Sequence, residues 1–441
     1  MPIVEPAALP TQLASRIQSL SLTDVLDVAL RNNPTTQSAW ANARAAAAAY
    51  GAAHGAYFPT IDASVDMTRL KTVASQGRQA VQQTLYSPAV TFSWLLLDLG
   101  GRSGVIEESR QALISADFNH NAVLQNVVLQ VESAYFAYAA NLSLLTAERT
   151  AREEAAAGLA AAQARHDAGL ATIADVLQAR TALSQADLAL ETTEGQVQTT
   201  RGGLAVSMGL PATLPYEIST APQGPAIGAV ADSVETLVAQ AVRLRPDLAA
   251  AYARERQAAA RVGELRAQRL PSLSLSGNTG YQYIPSRNVS GTTYTVTLGV
   301  AIPLFSGFTR EYNQQEAKAL AEAAAADTRS LQQQVIFQVF SAYYALQTSA
   351  RRVHTSETLF ASAQQSQQVA LARYKAGVGT VLDLLTAQTA LANARAQQVQ
   401  ARLDWSTALA QLSHDAGLLD LHGTPGLNLT ADSTLTQPDS R

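Results

Sequence analysis

Residues 164–177, ARHDAGLATIADVL, and residues 372–385, ARYKAGVGTVLDLL, decide the fold of this chain, because they show that it is built twice. The two stretches share residues at matching places and lie 208 positions apart. Further pairs at that offset are Arg102 with Arg310, Gln130 with Gln338 and Tyr135 with Tyr343. Nearer the N-terminus, Asn33-Pro34 recurs as Arg245-Pro246 at an offset of 212. The chain is therefore a tandem duplication, in which one copy has a hairpin loop about four residues longer.

Each copy opens with the pattern of two helices. In the first copy a short helix is predicted to begin at Leu22, with Thr23 as its N-cap. Asn33-Pro34 ends this helix, because the residue before a proline avoids the α region. The alanine-rich stretch 35–57 then predicts a second helix.

Apolar and polar residues next alternate at period two, which predicts one β-hairpin in each copy. In 60–68, for example, Ile61 and Val65 lie on one face, and Asp62 and Asp66 lie on the other. The predicted strands are about 60–69, 86–97, 271–284 and 292–304. The predicted tips are polar, at Ser75-Gln76-Gly77 and Ser290-Gly291.

Long helices with a coiled-coil repeat follow each hairpin, over about 102–208 and 310–416. Apolar residues step alternately by three and four, a spacing typical of helices that supercoil together. These residues are Val128, Val131, Tyr135, Tyr138, Leu142 and Leu145, and in the second copy Ile336, Val339, Tyr343, Leu346, Ala350 and Val353. The first long helix of each pair would be roughly 100 Å long. The tyrosines at these positions are expected to be core residues.

These patterns divide the chain into five segments. Residues 1–20 form an N-terminal extension, and 211–231 form a Pro/Gly-rich linker. The predicted repeats are 21–210 and 232–417, and a polar tail covers 418–441. The expected fold class is mainly α with a β-barrel part.

Composition excludes several classes of function. The net charge of −4 offers no basic surface for nucleic acid. The chain has no cysteine, its six histidines lack ligand spacing, and no glycine-rich phosphate loop occurs. No nucleophile and base are suitably placed, so we predict no enzyme, no metal site and no cofactor.

The hairpins separate two remaining functions, a membrane channel and a soluble coiled-coil scaffold. Strands that span an outer membrane have about 9–11 residues, and the smallest barrels of this kind have about eight strands. Four such strands cannot close a barrel alone, so a channel would need several subunits, and three would supply twelve strands. A scaffold has no need of strands of this length with one apolar face.

The repeated order of elements resembles the TolC family of outer-membrane efflux proteins. The matching motifs are Leu22-Thr23 … Asn33-Pro34, Phe58-Pro59-Thr60, Leu99-Gly100-Gly101-Arg102, Leu204 … Gly209-Leu210-Pro211, Pro303-Leu304-Phe305-Ser306-Gly307 and 372–385. The resemblance implies a homotrimer with a twelve-stranded barrel in the outer membrane and a helical tunnel through the periplasm. It also implies two partners, a periplasmic adaptor (membrane fusion) protein and an inner-membrane pump of RND, ABC or MFS type.

The resemblance also implies a constriction at the periplasmic end of the tunnel, at the turns 169–175 and 377–386. Asp175 and Tyr374 match two members of the family's closing network, whereas its arginine falls on Gly379. Asp383 matches one carboxylate of the family's pore ring, and Thr386 replaces the other. We therefore predict a closed state held less by ion pairs and more by apolar packing than in the TolC family. The alternative for both aspartates is that they only cap helices.

Four further residues are candidates for roles in the barrel. Asp62 and Asp66 are predicted to face its lumen, where they would tune selectivity or only keep the lumen wet. Trp94 and Tyr294 are predicted either to lie in the aromatic girdle next to outer-membrane lipid or to pack as ordinary strand residues.

Overall fold

The computed structural model describes residues 19–71, 82–219, 229–230, 232–419 and 429–430. The first copy consists of α1 (Leu22–Asn32), α2 (Pro34–His54), β1 (Thr60–Lys71), β2 (Gln82–Leu97), α3 (Gly101–Asp167) and α4 (Ile173–Ser207). A short strand, β3 (Ala229–Val230), follows it. The second copy consists of α5 (Val234–Leu244), α6 (Pro246–Ala267), β4 (Ser272–Ile284), β5 (Val289–Ala301), α7 (Thr309–Lys375) and α8 (Val381–Asp415). The last strand, β6 (Leu429–Thr430), pairs antiparallel with β3.

The order of elements is thus the same in both copies, and the predicted fold class is confirmed. The chain divides into two compact units. One comprises 1–40, 119–247 and 332–441, and the other comprises 41–118 and 248–331. Among the described residues, no helix combines the length and hydropathy that crossing a membrane requires. The five segment boundaries proposed from the sequence remain predictions.

The second unit holds a four-stranded antiparallel sheet in the order β1-β2-β4-β5. Residues opposite each other in antiparallel strands share a face. One set of residues paired across the four strands is polar and consists of Asp62, Thr91, Asn278 and Thr295. The neighbouring set consists of Ile61, Phe92, Gly277 and Val296. The sheet therefore has one polar face and one apolar face along its whole width.

The hairpin of the second copy differs from the prediction at both ends. Ser290 and Gly291 are not the tip, because they pair with Tyr283 and Gln282 inside the ladder. The chain turns instead at a 3-10 helix, Pro285–Arg287, where proline sets φ, and at Asn288 in a left-handed conformation with φ of 51°. β5 ends at Ala301 and not at 304, since Pro303 lacks the N–H that would extend the ladder. The first copy's predicted tip, Ser75-Gln76-Gly77, lies outside the described residues.

The first helix has a different cap from the one predicted. Ser21, and not Thr23, is the N-cap of α1. The Ser21 hydroxyl accepts from the Asp24 amide at 3.2 Å, and the Asp24 carboxylate accepts from the Ser21 amide at 3.0 Å. This reciprocal capping box satisfies two amides of the first turn.

The first unit has a core built by the predicted apolar spacing. Val128, Val131, Tyr135 and Tyr138 are buried, so both tyrosines are core residues as expected. The second copy keeps the spacing at Val339, Leu346 and Val353, which are buried, but Ile336 is exposed and Val335 is buried in its place. Tyr343 and Ala350 are only half-buried, so the predicted stripe on α7 is fully buried at three of its six positions and is wrong at Ile336.

Candidate functional site

The turn between α3 and α4 forms because glycine ends one helix and threonine starts the next. Gly169 has φ of 74°, and its amide bonds to the carbonyl of His166 at 2.8 Å. Thr172 is the N-cap of α4, and its hydroxyl accepts from the Asp175 amide at 3.3 Å. The Asp175 carboxylate accepts from the Thr172 amide at 2.9 Å. Asp175 thus forms a reciprocal capping box with Thr172, and its part in the constriction stays a prediction.

The turn between α7 and α8 repeats this arrangement 208 residues later. Asp383 accepts from the Thr380 amide at 3.1 Å, and its own amide donates to the Thr380 hydroxyl at 3.1 Å. The hydrogen bonds from Thr380 hold the pKa of the Asp383 carboxyl below its usual range, because they favour the charged form. Asp383 is exposed, so capping leaves its charge open to solvent.

Tyr374 lies at the end of α7 and is almost fully buried, at 3% exposure. It packs in a small apolar cluster with Val381 and Leu384. Its hydroxyl is buried and has no hydrogen-bond partner among the residues that the structure describes. Burial raises the pKa of the Tyr374 hydroxyl, with the charge of Asp175 adding to this effect and that of Arg165 opposing it.

Asp175 is close enough to Tyr374 to affect that hydroxyl, but within the described chain no hydrogen bond joins the two. A different residue contacts Tyr374. Arg165, in the last turn of α3, donates from Nη1 to the Tyr374 carbonyl at 2.6 Å. Its guanidinium carbon also lies 4.8 Å from the centre of the Tyr374 ring. The sequence showed only that Arg165 is repeated as Arg373, which does not reveal which copy makes such a contact.

Gly379 stands where the family's arginine is expected, and its surroundings are tight. A Cβ atom there would lie 3.1 Å from the Arg373 Cβ and 3.2 Å from the Tyr374 amide nitrogen. Any larger residue would thus require the end of α7 to shift.

Thr386 is exposed and lines a groove between α4 and α8. The groove has a volume of about 650 Å³ and is lined by small, apolar and amide side chains. Its residues are Leu177, Gln178, Thr181, Ala182, Gln185, Leu382, Leu385, Thr386, Thr389, Ala390 and Asn393. Asp383 does not line this groove.

The four candidate barrel residues lie in the sheet of the second unit. Asp62 and Asp66 are exposed on the polar face, opposite Thr91 and Ser87. On the apolar face, Tyr294 is 83% exposed in the middle of β5. Trp94 is half-buried and donates from Nε1 to the Tyr57 carbonyl at 2.9 Å.

A metal site was not expected from the sequence. Within the described ranges, no group of three or more histidine, aspartate or glutamate side chains could hold a metal ion.

Comparison with known proteins identifies the family. A family model described as outer membrane efflux protein matches residues 25–210 and 237–418. The protein CyaE of Bordetella pertussis is 31% identical over 393 residues, which is 88% of this chain and 81% of that protein. The outer membrane protein OprJ of Pseudomonas aeruginosa is 25% identical over 383 residues, 85% of this chain and 79% of that protein. The crystal structure of the outer membrane protein VceC from Vibrio cholerae has the same fold, with a TM-score of 0.79 at 20% identity over 90% of this chain and 96% of VceC.

These matches decide between the two functions that the sequence left open, and they exclude the soluble scaffold. They cover both copies, including the hairpins and the two turns described above. The chain belongs to the outer membrane efflux protein family and is a non-enzymatic channel subunit of the outer membrane that extends into the periplasm.

Proposed function

We propose that this chain forms a homotrimer whose twelve strands close into one barrel, giving a passive exit duct for substrates that an inner-membrane pump drives. The observation that supports this proposal most directly is the pair of open edges of the four-stranded sheet. Its outer strands, β1 and β5, pair on one side only within the described residues. An open edge in lipid is prohibitively costly, because its amides and carbonyls lack partners there. Pairing β1 of one subunit with β5 of the next removes every edge.

The two faces of the sheet support the same assembly. On the apolar face Val65, Val296 and Leu298 are 78%, 72% and 65% exposed, which is the exposure expected of side chains that contact lipid. On the opposite face, Asp62 and Asp66 lie among serine and threonine residues. A polar face of this kind fits a water-filled lumen.

We place the constriction at the two turns, with Asp383 and Thr386 at its surface and Asp175, Tyr374 and Gly379 supporting it. Asp383 is exposed, and the hydrogen bonds from Thr380 lower the pKa of its carboxyl, so three copies would form a ring that attracts cations. Tyr374 is buried in apolar contacts, in keeping with a closed state that depends on packing.

As a family member, the chain works with a periplasmic adaptor and an inner-membrane pump. We propose that the pump is of RND, ABC or MFS type. The pump would supply the energy, since a duct of this kind carries no nucleotide site.

The assembly is tested with paired cysteines, which is straightforward because the chain has none of its own. Cysteines at Val65 and Val296, on the two outer strands, are joined with a flexible bifunctional thiol reagent in detergent. Dimers and trimers, and nothing larger, are expected on denaturing gels. The control pair is Val90 and Thr279, which lie opposite each other within one chain and should leave the mass unchanged. A monomeric mass by detergent-corrected light scattering would contradict the trimer.

A further inference from the structure

Arg165 makes two contacts with one residue of the other copy. Its Nη1 donates to the Tyr374 carbonyl at 2.6 Å, and its guanidinium carbon lies 4.8 Å from the centre of the Tyr374 ring. Within the described chain no carboxylate forms an ion pair with Arg165, so its charge is directed at this carbonyl and this ring. The two residues are 209 positions apart, so the contact joins the first copy to the second.

The carbonyl that Arg165 contacts belongs to the end of α7. Tyr374 is the next-to-last residue of that helix, and its oxygen also accepts from the Gly377 amide at 3.1 Å. The last carbonyls of a helix lack intrahelical partners and carry the negative end of its dipole. A guanidinium at this position supplies a charge-assisted hydrogen bond and a favourable charge at once. Arg165 therefore caps α7 from a different helix.

The contact with the Tyr374 ring fixes the orientation of the Arg165 guanidinium. Tyr374 is 3% exposed and packs against Val381 and Leu384 of α8. A planar guanidinium can lie against an aromatic ring while it donates in its own plane, which an ammonium group cannot do. Arg165 thus restrains the carbonyl and the side chain of Tyr374 together.

The duplication provides an internal comparison. The counterpart of Arg165 is Arg373, and the counterpart of Tyr374 is His166. His166 bonds through Nδ1 to the Ala171 carbonyl at 3.0 Å, within its own turn. Arg373 is exposed and, within the described residues, makes no side-chain hydrogen bond or ring contact. The link therefore runs in one direction only, from the first copy to the second.

We infer that Arg165 is a latch, a positioning residue of the first copy that holds the α7–α8 turn and so keeps the constriction narrow. This rests on the proposed function, because the latch acts only if the turn lines the constriction.

The test compares Arg165→Ala and Arg165→Lys with the matched control Arg373→Lys, in the reconstituted full chain. Hydrogen exchange is read at Gly377, Val378 and Gly379, whose amides bond to the last carbonyls of α7 at 3.1, 3.0 and 3.1 Å. Arg165→Ala should speed exchange there by about tenfold or more, the loss expected for a charge-assisted hydrogen bond. The exchange rate of Arg165→Lys should lie between those of Arg165→Ala and the wild type. The exchange rate of Arg373→Lys should equal that of the wild type.

Single-channel conductance in planar bilayers decides whether the restraint matters to the pore. Arg165→Ala should conduct more than the wild type. Unchanged exchange, or faster exchange with unchanged or lower conductance, would overturn the latch. The proposed function fails separately, since a wild-type protein that forms no trimer and no channel would remove it before any variant is compared.

Discussion

The two copies join equivalent helix ends with different chemistry. In the first copy the junction between α1 and α4 is neutral. Asn33 donates from Nδ2 to the Ser207 carbonyl at 3.0 Å, and its Oδ1 accepts from the Thr35 amide at 2.8 Å. One amide side chain therefore satisfies a carbonyl at the end of α4 and an amide in the first turn of α2.

In the second copy the same junction is charged. Arg245 replaces Asn33 and Asp415 replaces Ser207. Arg245 binds both oxygens of Asp247, at 3.0 and 2.6 Å, and donates to Gln338 Oε1 at 2.6 Å. Its Nη1 lies 3.8 Å from Asp415 Oδ1, and the two side chains are only 6% and 5% exposed.

What the two junctions share is backbone geometry. Gly209 and Gly417 follow α4 and α8 with φ of 75° and 72°. A Cβ at Gly209 would lie 2.6 Å from the Asn32 carbonyl oxygen, and one at Gly417 would lie 3.2 Å from Leu244. The close approach requires glycine in both copies, whereas the side chains beside it are free to diverge.

The largest expected effect is at the charged junction. Arg245→Ala should lower the free energy of unfolding by about 3–5 kcal/mol, because it leaves Asp415 buried without its cation. Asn33→Ala, which removes only neutral hydrogen bonds, should cost about 1–3 kcal/mol. Urea unfolding in detergent, followed by far-UV circular dichroism, measures both.

A double substitution sharpens this result. Arg245→Asn with Asp415→Ser gives the second copy the first copy's side chains at these two positions. The double variant should lose less unfolding free energy than Arg245→Ala, because the buried carboxylate of Asp415 is removed with its cation and the remaining carboxylate, Asp247, is 32% exposed. If the double variant loses as much unfolding free energy as Arg245→Ala, or more, then the charged side chains stabilise the junction by more than neutralising each other.

The next effect concerns Glu132 on α3, whose counterpart on α7 is the exposed Phe340. Glu132 is 3% exposed, and burial raises the pKa of its carboxyl from 4.5 to about 7. A raised pKa in the folded state means that stability present below pH 4.5 is lost as the pH rises through about 7. The loss amounts to about 3 kcal/mol.

Glu132→Gln should remove this pH dependence and make the protein more stable than the wild type at pH 8. Phe340→Gln is the matched control and should leave the pH dependence as it is. Thermal unfolding at several pH values checks both. Identical pH profiles for the wild type and Glu132→Gln would refute the assignment.

A smaller effect separates the two aspartates at the turns. Asp175→Ala should cost about 1 kcal/mol through the lost cap and leave ion selectivity unchanged. Asp383→Ala should reduce the preference for cations in planar bilayers. Because the pKa of Asp383 is lowered, this preference should persist near pH 3.9, where an ordinary aspartate is half protonated. Unchanged selectivity in Asp383→Ala would remove this residue from the constriction.

The smallest effect is expected from Tyr374→Phe. The hydroxyl is buried without a partner among the described residues, so its loss should change stability by less than about 0.5 kcal/mol or raise it. Conductance should stay at the wild-type value. A clear rise would mean that the hydroxyl forms a bond in the trimer, and the Arg165 contact would then not be the whole restraint.

Much of the architecture could be predicted because its signals are local. Helix and strand differ in hydrophobic period, and the change from a period of two to one of 3.5 marks the end of each hairpin. The errors fell where two local signals compete. Ser290-Gly291 has the composition of a turn, but the chain already turns at 285–288, where Pro285 sets φ and Asn288 is left-handed. Thr23 can cap a helix, yet Ser21 forms the reciprocal pair with Asp24.

The sequence by itself determined the duplication, the order of elements and the alternating faces of the sheet, because each depends on residues close together in the chain. Only the tertiary structure decided that Arg165 contacts Tyr374, that Arg245 meets Asp415 and that Glu132 is buried. These contacts join residues up to 209 positions apart, and which partner each side chain meets depends on how the helices pack. Periodicity places a residue on a face, but packing alone decides what that face touches.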